Sequence, residues 1–174
     1  MIPAYVPCHR SSLLYFLGAV DIPMTCRIAL VQQHASSDKK TNLERGLQAL
    51  STAASQGAQL VSFAELAFER FYPQVRSAET PLHLAEPIPG PVVERFQQHA
   101  AELGLVVVLN LYERDGDRAY DCSPVIDADG TLLGRTRMVH ITDYEGFHEQ
   151  DYYAPGAGDQ WVYETTIGRV GVAI

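Results

Sequence analysis

Hydrophobic and polar positions follow two alternating periods along the first half of the chain. The runs "RIALVQQ" (27–33) and "QLVSF" (59–63) are short and apolar, as is typical of buried strands. Between them, apolar residues recur at the intervals of one helical face, at Leu43, Leu47, Leu50 and Ala54. Asp38 or Thr41 can cap this helix, and Gly57 can end it. The pattern therefore predicts a strand–helix–strand unit with parallel strands.

A second helix and strand follow the first unit. Pro91 suits the first turn of a helix, because its missing N–H is not needed there, and Gly104 marks the end of that helix. Its inner stripe comprises Val92, Phe96, Ala100 and Leu103. The apolar run "LVVVLNLY" (105–112) then predicts a central strand.

After residue 112 the pattern changes from helix and strand to strand and strand. The segments "AYDCSPVID" and "TLLGRTRM" flank an Asp129-Gly130 turn signal, which predicts a hairpin. Residues 139–160 predict a long loop, of a length that in a compact domain is usually functional or disordered. Two final strands, "QWVYET" and "RVGVAI", are predicted to meet at Gly168, and the second has the composition of a buried strand.

These elements predict an α/β fold in which helices cover one face of a mixed sheet. Strands are parallel early in the chain and antiparallel late. The other face of such a sheet must also be buried. We expect a second sheet there, contributed by further residues or by another subunit.

The first 23 residues need separate treatment. The run "SSLLYFLGAV" is shorter than the roughly 20 residues of a membrane span, and "DIPM" after it lacks a signal-peptidase site. Met24 opens the first predicted strand segment. We therefore predict that residues 1–23 are an extension outside the fold and that residues 24–174 form one domain.

Composition narrows the function classes. The 174 residues are 47% hydrophobic and 20% charged, which is typical of a globular chain, and a net charge of −8 argues against nucleic-acid or anionic-membrane partners. Three widely separated cysteines, Cys8, Cys26 and Cys122, form neither a disulfide framework nor a metal motif. Each is interpreted as a small buried hydrophobic residue rather than a nucleophile, and a cytoplasmic location is expected.

Two glutamates are candidates for chemistry. Glu65 follows a buried strand in "LVSFAELAF", where α/β sheets place their ligands, and burial there would raise its pKa toward neutral pH. The alternative is a solvated glutamate at the rim of the sheet. Glu149 lies in "DYEGFHEQDYYAPG", where aromatic neighbours are expected to pack the loop down, although most loop carboxylates are simply solvated.

No metal or cofactor site is predicted. His140 and His148 are separated by loop sequence and lack a ligand spacing such as HExxH. The helix entry "GPVVERF" lacks the second glycine and the lysine of a phosphate-binding loop.

From Met24 to Ile174, the chain resembles the nitrilase, or carbon–nitrogen hydrolase, superfamily. The pieces that carry the resemblance occur in the family's order: "RIALVQ", "LVSFAEL", "PIPGPVVERF", "VIDADGTLLGRTR", "GFHEQDYYAPG" and "VYETTIGRVGVAI". The resemblance implies a four-layer αββα sandwich, incomplete in this chain, that uses no cofactor. It also implies hydrolysis of a nonpeptide C–N bond in a small amide, N-carbamoyl compound or nitrile through a cysteine thioester.

By position in the family motifs, Glu65 matches the general base and Glu149 matches a second glutamate that positions the reacting groups. The family lysine, two residues before the histidine, is replaced by Met138. A thioether cannot stabilise an oxyanion, and loss of one such donor costs ~10²–10³ in rate in other acyl-transfer enzymes. Arg137 is not an easy substitute, because neighbouring side chains on a strand point to opposite faces.

The family's nucleophilic cysteine would follow Ile174 directly, and Cys122 matches a structural strand position instead. We therefore expect the N-terminal part of a Glu-Lys-Cys type hydrolase, inactive by itself, whose partners are a small amide-like substrate and, by resemblance, further copies of the chain. An alternative is a noncatalytic nitrilase-like interaction domain, which Met138 favours. A hydrolase of another α/β family is disfavoured, because no GxSxG motif is present.

Overall fold

The computed structural model describes residues 4–7, 25–158 and 161–174. Two helices and nine strands are assigned in these residues. In chain order they are β1 (Ala4–Pro7), β2 (Thr25–Val31), α1 (Lys39–Ser55), β3 (Leu60–Phe63), α2 (Pro91–Leu103), β4 (Val106–Val108), β5 (Leu111–Asp115), β6 (Arg118–Ile126), β7 (Leu132–Arg137), β8 (Val162–Thr165) and β9 (Gly168–Gly171). Two short 3-10 helices span Tyr72–Gln74 and Glu149–Asp151.

Strands β1 to β7 form one mixed sheet. β2, β3 and β4 are parallel neighbours, as the strand–helix–strand pattern predicted. β6 is antiparallel to β4, β5 and β7, and the β6–β7 hairpin turns at the predicted Asp-Gly sequence. The expected order of parallel strands followed by antiparallel ones is therefore confirmed.

The run 105–112 is not the single uninterrupted strand that its apolar sequence predicted. β4 and β5 pair with β6 in one continuous register but are separated at Leu109 and Asn110. Opposite them lies Pro124, whose carbonyl accepts from the Leu109 N–H but which has no N–H to return. The lost ladder bond explains the interruption. β5 also continues into a tight β5–β6 hairpin at Gly116, which the sequence analysis missed.

Both helices pack on one face of the sheet. Asp38 is the N-cap of α1, where its side chain accepts from the Lys40 N–H at 3.0 Å, and Pro91 occupies the first turn of α2. The core between helices and sheet is centred on three aromatic rings, Phe63, Phe68 and Phe96, whose centroids lie 5.1–5.5 Å apart. The predicted helix layer is confirmed.

A second sheet begins on the opposite face. The β8–β9 hairpin places Tyr163 against Val108 and Val125, and the Tyr163 hydroxyl lies 2.9 Å from Thr136 Oγ1. The prediction that the last strand is buried is wrong in part. β9 ends at Gly171, and only the side that carries Val170 is half-buried, because the hairpin covers the first sheet with one face.

The expectation that residues 1–23 lie outside the fold needs correction for four of them. Ala4–Pro7 form β1, which pairs antiparallel with β2 along the edge of the sheet. Residues 1–3 and 8–24, including Cys8, lie outside the described residues. Across the described ranges, no helix combines the length and apolar character needed to cross a membrane.

The aromatic core yields the first testable prediction. Phe96 is fully buried on α2, so Phe96→Ala should lower the free energy of unfolding by about 3–5 kcal/mol, through lost burial and an unfilled cavity. Urea denaturation measures this loss. Gln98→Ala, at an exposed position on the same helix, is the matched control and should change stability by less than ~0.5 kcal/mol. Equal losses in the two variants would contradict the assigned packing of α2.

Candidate active site

Glu65 lies in the turn that follows β3, at the carboxyl end of a parallel strand. The next residue, Leu66, has a left-handed backbone with φ of +43°, which is unfavourable for a branched side chain. Two contacts hold this conformation: the Leu66 side chain is buried, and its N–H donates to Asn110 Oδ1 at 2.7 Å. The turn therefore fixes the backbone on which Glu65 is carried.

Asn110 connects this turn to the neighbouring strand β6. Its buried side chain accepts from Leu66 through Oδ1, while Nδ2 donates to Asp121 Oδ1 and, at 3.3 Å, to Ser123 Oγ. Asn110 stands where β4 and β5 are interrupted. The break in the strand thus coincides with the residue that links Glu65's turn to Asp121.

Strand alternation decides which side chains share this side of the sheet. Tyr112 lies opposite Asp121 in the β5–β6 pairing, so both side chains project to the same face. Leu111 and Cys122, one residue along, belong to the core beneath the helices. Asp121 therefore faces away from the helices, toward the side on which the β8–β9 hairpin lies.

Glu149 reaches the same region from the long loop. It lies in the second 3-10 helix and is only 6% exposed. Its Oε2 accepts two hydrogen bonds from Thr142, one from the N–H at 3.1 Å and one from the hydroxyl at 2.6 Å. The loop is packed down by Tyr152 and Tyr153, as the aromatic residues in its sequence predicted. Glu149 is consequently not a solvated loop carboxylate.

The carboxyl groups of Glu65, Asp121 and Glu149 influence one another. Glu65 is exposed by its overall surface area, but partial burial of its carboxyl still raises its pKa; a hydrogen bond with Asp121 opposes that rise, and the charge of Glu149 adds to it. The pKa of Asp121 is raised well above its usual range, first by burial and then by the charge of Glu65. The structure therefore brings together the two glutamates predicted from the sequence and adds a third acid, Asp121, which interacts with both. We call Glu65, Asp121 and Glu149 the acidic triad.

Met138, which the resemblance places at the position of the family lysine, lies opposite Asp121, a member of the acidic triad. Its N–H donates to the Asp121 carbonyl at 3.0 Å, and the register Cys122 to Arg137 places it directly opposite Asp121. Directly opposite residues share a face, so a lysine at position 138 would project to the face that carries Asp121.

The two arginines of β7 belong to the other face. Arg137 makes a two-pronged contact with the buried Glu113 at 2.6 and 2.7 Å, and Arg135 Nε contacts Glu113 at 2.8 Å. Arg137 also lies over the Tyr120 ring, 3.8 Å from its centroid. Arg137 is thus engaged away from the acidic triad, in agreement with the strand-alternation argument.

Cys122 and His148 lie in other surroundings than the acidic triad. Cys122 is fully buried in the helix-side core, where burial and the nearby Glu113 raise the pKa of its thiol, so it is not a candidate nucleophile. His148 contacts Asp143 at 3.4 Å. Within residues 4–7, 25–158 and 161–174, no group of three or more His, Cys, Asp or Glu side chains is arranged to hold a metal ion.

The sequence analysis missed Asp121 and Asn110. Both are polar residues inside otherwise apolar strand segments, "AYDCSPV" and "LVVVLNLY". A charged or amide side chain in a buried strand needs a partner, and that requirement was the available signal. It does not by itself identify the partner, which depends on how three distant segments meet.

Comparison with known proteins finds matches over most of the chain. The model of the carbon–nitrogen hydrolase family matches residues 27–174. An N-carbamoylputrescine amidase from Solanum lycopersicum is 35% identical over 148 residues, which cover 84% of this chain and 49% of that protein. A citrullinase from Francisella tularensis is 30% identical over 149 residues, covering 85% of this chain and 52% of that protein.

A solved structure supports the fold. The crystal structure of a carbon–nitrogen hydrolase from Helicobacter pylori superposes with a TM-score of 0.71 at 25% identity, covering 83% of this chain and 50% of that one. The layered α/β fold expected from the resemblance is therefore confirmed. The chain spans about half the length of these relatives.

The link through Asn110 can be tested by substitution. Asn110→Ala leaves the buried Leu66 N–H without its acceptor and removes a donor from Asp121, so it should lower the free energy of unfolding by ~1–3 kcal/mol. Chemical denaturation measures the loss. Ser123→Ala, which removes only the longer contact of the same amide, is the control and should have a smaller effect. A larger loss in Ser123→Ala than in Asn110→Ala would contradict the proposed link.

Proposed function

The chain belongs to the carbon–nitrogen hydrolase family, and on that premise we propose that it carries two glutamates of an enzyme that hydrolyses a nonpeptide C–N bond. In this proposal Glu65 is the general base and Glu149 is the second glutamate, which orients the groups around it. The proposal also includes the inference that this sequence is the N-terminal part of the enzyme.

The observation that carries the proposal is the convergence of Glu65 and Glu149. Glu65 follows a strand end and Glu149 lies in a distant loop, yet the charges of both raise the pKa of Asp121. The charge of Glu149 also raises the pKa of Glu65. Burial raises the pKa of Glu65, which brings its proton affinity nearer to that needed at neutral pH. Thr142 anchors Glu149 with two hydrogen bonds, so Glu149 is suited to positioning rather than to proton exchange.

The proposed chemistry has two halves. Glu65 takes the thiol proton of a cysteine, the thiolate attacks the substrate carbonyl carbon, and the C–N bond breaks as the amine leaves with the proton returned by Glu65. The resulting thioester is then attacked by water, whose proton Glu65 accepts. The thiolate leaves and takes up that proton, which releases the acid and restores the free thiol.

The cysteine in this scheme is not Cys122, whose thiol is buried on the opposite face of β6 from Asp121. We propose that residues following Ile174 supply it. The chain matches about half the length of its relatives, which is consistent with a longer enzyme. A multi-subunit assembly stays a prediction from the resemblance.

We propose an N-carbamoyl or simple amide group as the substrate. The N-carbamoylputrescine amidase and the citrullinase are similar to this chain over 84–85% of its length. Both names describe enzymes that act on small carbamoyl-bearing compounds. This similarity favours a ureido or amide carbon over a nitrile carbon.

One observation favours a second candidate, a noncatalytic interaction domain that keeps this fold. Met138 occupies the lysine position opposite Asp121, and an apolar thioether supplies no charge for a developing oxyanion. Hydrolysis separates the candidates. The enzyme requires turnover that depends on Glu65, whereas the interaction domain requires that no turnover be found.

The base role predicts the effect of one isosteric substitution. Glu65→Gln, made in the protein expressed from the complete gene, should lower ammonia release from an N-carbamoyl amine by ~10²–10⁴, because an amide cannot accept a proton. Ammonia is quantified under conditions in which substrate is not limiting.

Glu79→Gln supplies the control, since Glu79 is an exposed glutamate outside the acidic triad. It should retain full turnover. Turnover that survives Glu65→Gln would exclude Glu65 as the base, and absence of turnover in the unsubstituted protein on both amides and carbamoyl compounds would favour the interaction domain.

A further inference from the structure

Asp121 is the most completely buried member of the acidic triad, and its surroundings are unusual for an ionised group. Its relative exposure is 0%. Oδ1 accepts from Asn110, but Oδ2 is buried and receives no N–H or O–H donor from residues 4–7, 25–158 or 161–174. An ionised carboxylate needs several donors or a cation when it is removed from water.

The groups that face Asp121 supply neither a cation nor further hydrogen bonds to its carboxylate. From the turn after β3 comes Glu65, whose carboxyl is close enough to share a hydrogen bond with Asp121, and from the long loop comes Glu149. Tyr153 also faces the acidic triad, and its buried hydroxyl has no hydrogen-bond partner among the described residues. Met138, which directly follows β7 and lies opposite Asp121, is uncharged.

A carboxylate as buried as Asp121, with no donor to its Oδ2, is unstable in the ionised form beside a second carboxylate, and a hydrogen bond between the two groups needs one proton. We propose that Asp121 holds this proton and donates it to the Glu65 carboxylate, so that the pair carries one negative charge. Asp121 is thereby a positioning residue for Glu65, and its proton provides the neutralisation that a lysine at position 138 would provide. The positioning role rests on the proposed function of Glu65, whereas the protonation of the pair does not.

The more buried member of the pair is the one that holds the proton. Asp121 is fully buried whereas Glu65 is exposed, so burial penalises an ionised Asp121, and the hydrogen bond from Asp121 stabilises ionised Glu65. Glu65 therefore stays able to accept a proton, as a general base must. Asp121 is held in place by Asn110, the residue that also fixes the Glu65 turn.

Infrared difference spectroscopy of the chain tests the proton directly. The unsubstituted chain should show the carbonyl stretch of one protonated carboxyl near pH 7, and Asp121→Asn should remove it. The asparagine can keep the geometry, because its oxygen can still accept from Asn110 while its amide donates toward Glu65. Asp117→Asn, an exposed residue in the β5–β6 turn, is the matched control and should retain the band.

Met138→Lys tests whether the proton on Asp121 neutralises the Asp121–Glu65 pair in place of a cation. An ammonium opposite Asp121 should move the midpoint at which the band disappears to lower pH by ~1–3 units. An unchanged midpoint in a folded Met138→Lys chain would contradict the claim that the Asp121 proton provides the neutralisation that a lysine at position 138 would provide. A band that is missing from the unsubstituted chain, or that persists fully in Asp121→Asn, would overturn the proposal.

Stability supplies a second readout with a defined sign. The pKa of Asp121 is raised on folding, so the stabilisation from its proton is fully present below the ordinary carboxyl pKa of about 4 and is lost as pH rises through the folded value. The asparagine variant cannot ionise there. Its melting temperature relative to the unsubstituted chain should therefore increase from pH 4 upward, and a constant difference would contradict the proposal.

Measurements of hydrolysis test the shared proton and the proposed base role of Glu65 separately. In the complete enzyme, Asp121→Asn should remove the alkaline limb from the pH profile of turnover, because no second carboxylate forms beside Glu65. Loss of the alkaline limb together with a Glu65-dependent rate supports both claims. A Glu65-independent rate together with the predicted infrared result would refute the base role and leave the shared proton standing.

Discussion

A carboxylate removed from water must be neutralised by a cation, by hydrogen-bond donors or by a proton, and the acids of this sheet show each solution. Glu113, on the helix side, is held by Arg135 and Arg137. Glu149 accepts an N–H and a hydroxyl from Thr142. Asp121 has one amide donor and, in our proposal, a proton shared with Glu65. Glu113, Glu149 and Asp121 therefore differ in how their charge is compensated.

The fold brings these acids together through strand alternation and strand endings. The parallel strand β3 ends just before Glu65, and the interruption between β4 and β5 places Asn110 where it can bind the Glu65 turn. Because side chains alternate along β6, Asp121 joins Glu65 while its neighbour Cys122 joins the core beneath the helices. The same alternation on β7 separates Met138 from Arg137, so the arginines do not neutralise the triad.

Much of this architecture could be predicted from the sequence, and the rest could not for identifiable reasons. Periodic apolar positions located both helices, and the apolar run before Glu65 located the strand end that this residue follows. Hydrophobic pattern could not reveal the break at Leu109, which results from a proline on the paired strand. It also overestimated the burial of the last strand, because composition does not say how many faces are covered. Asp121 was missed because its partners come from distant segments.

The proposed pairing of Asp121 with Glu65 depends on one proton, and neutron diffraction from deuterated crystals near neutral pH would observe that proton most directly. We expect one deuteron between the carboxyl groups of Asp121 and Glu65, attached to Asp121. Nuclear density that shows both Asp121 and Glu65 ionised, or a cation bound between them, would contradict the account.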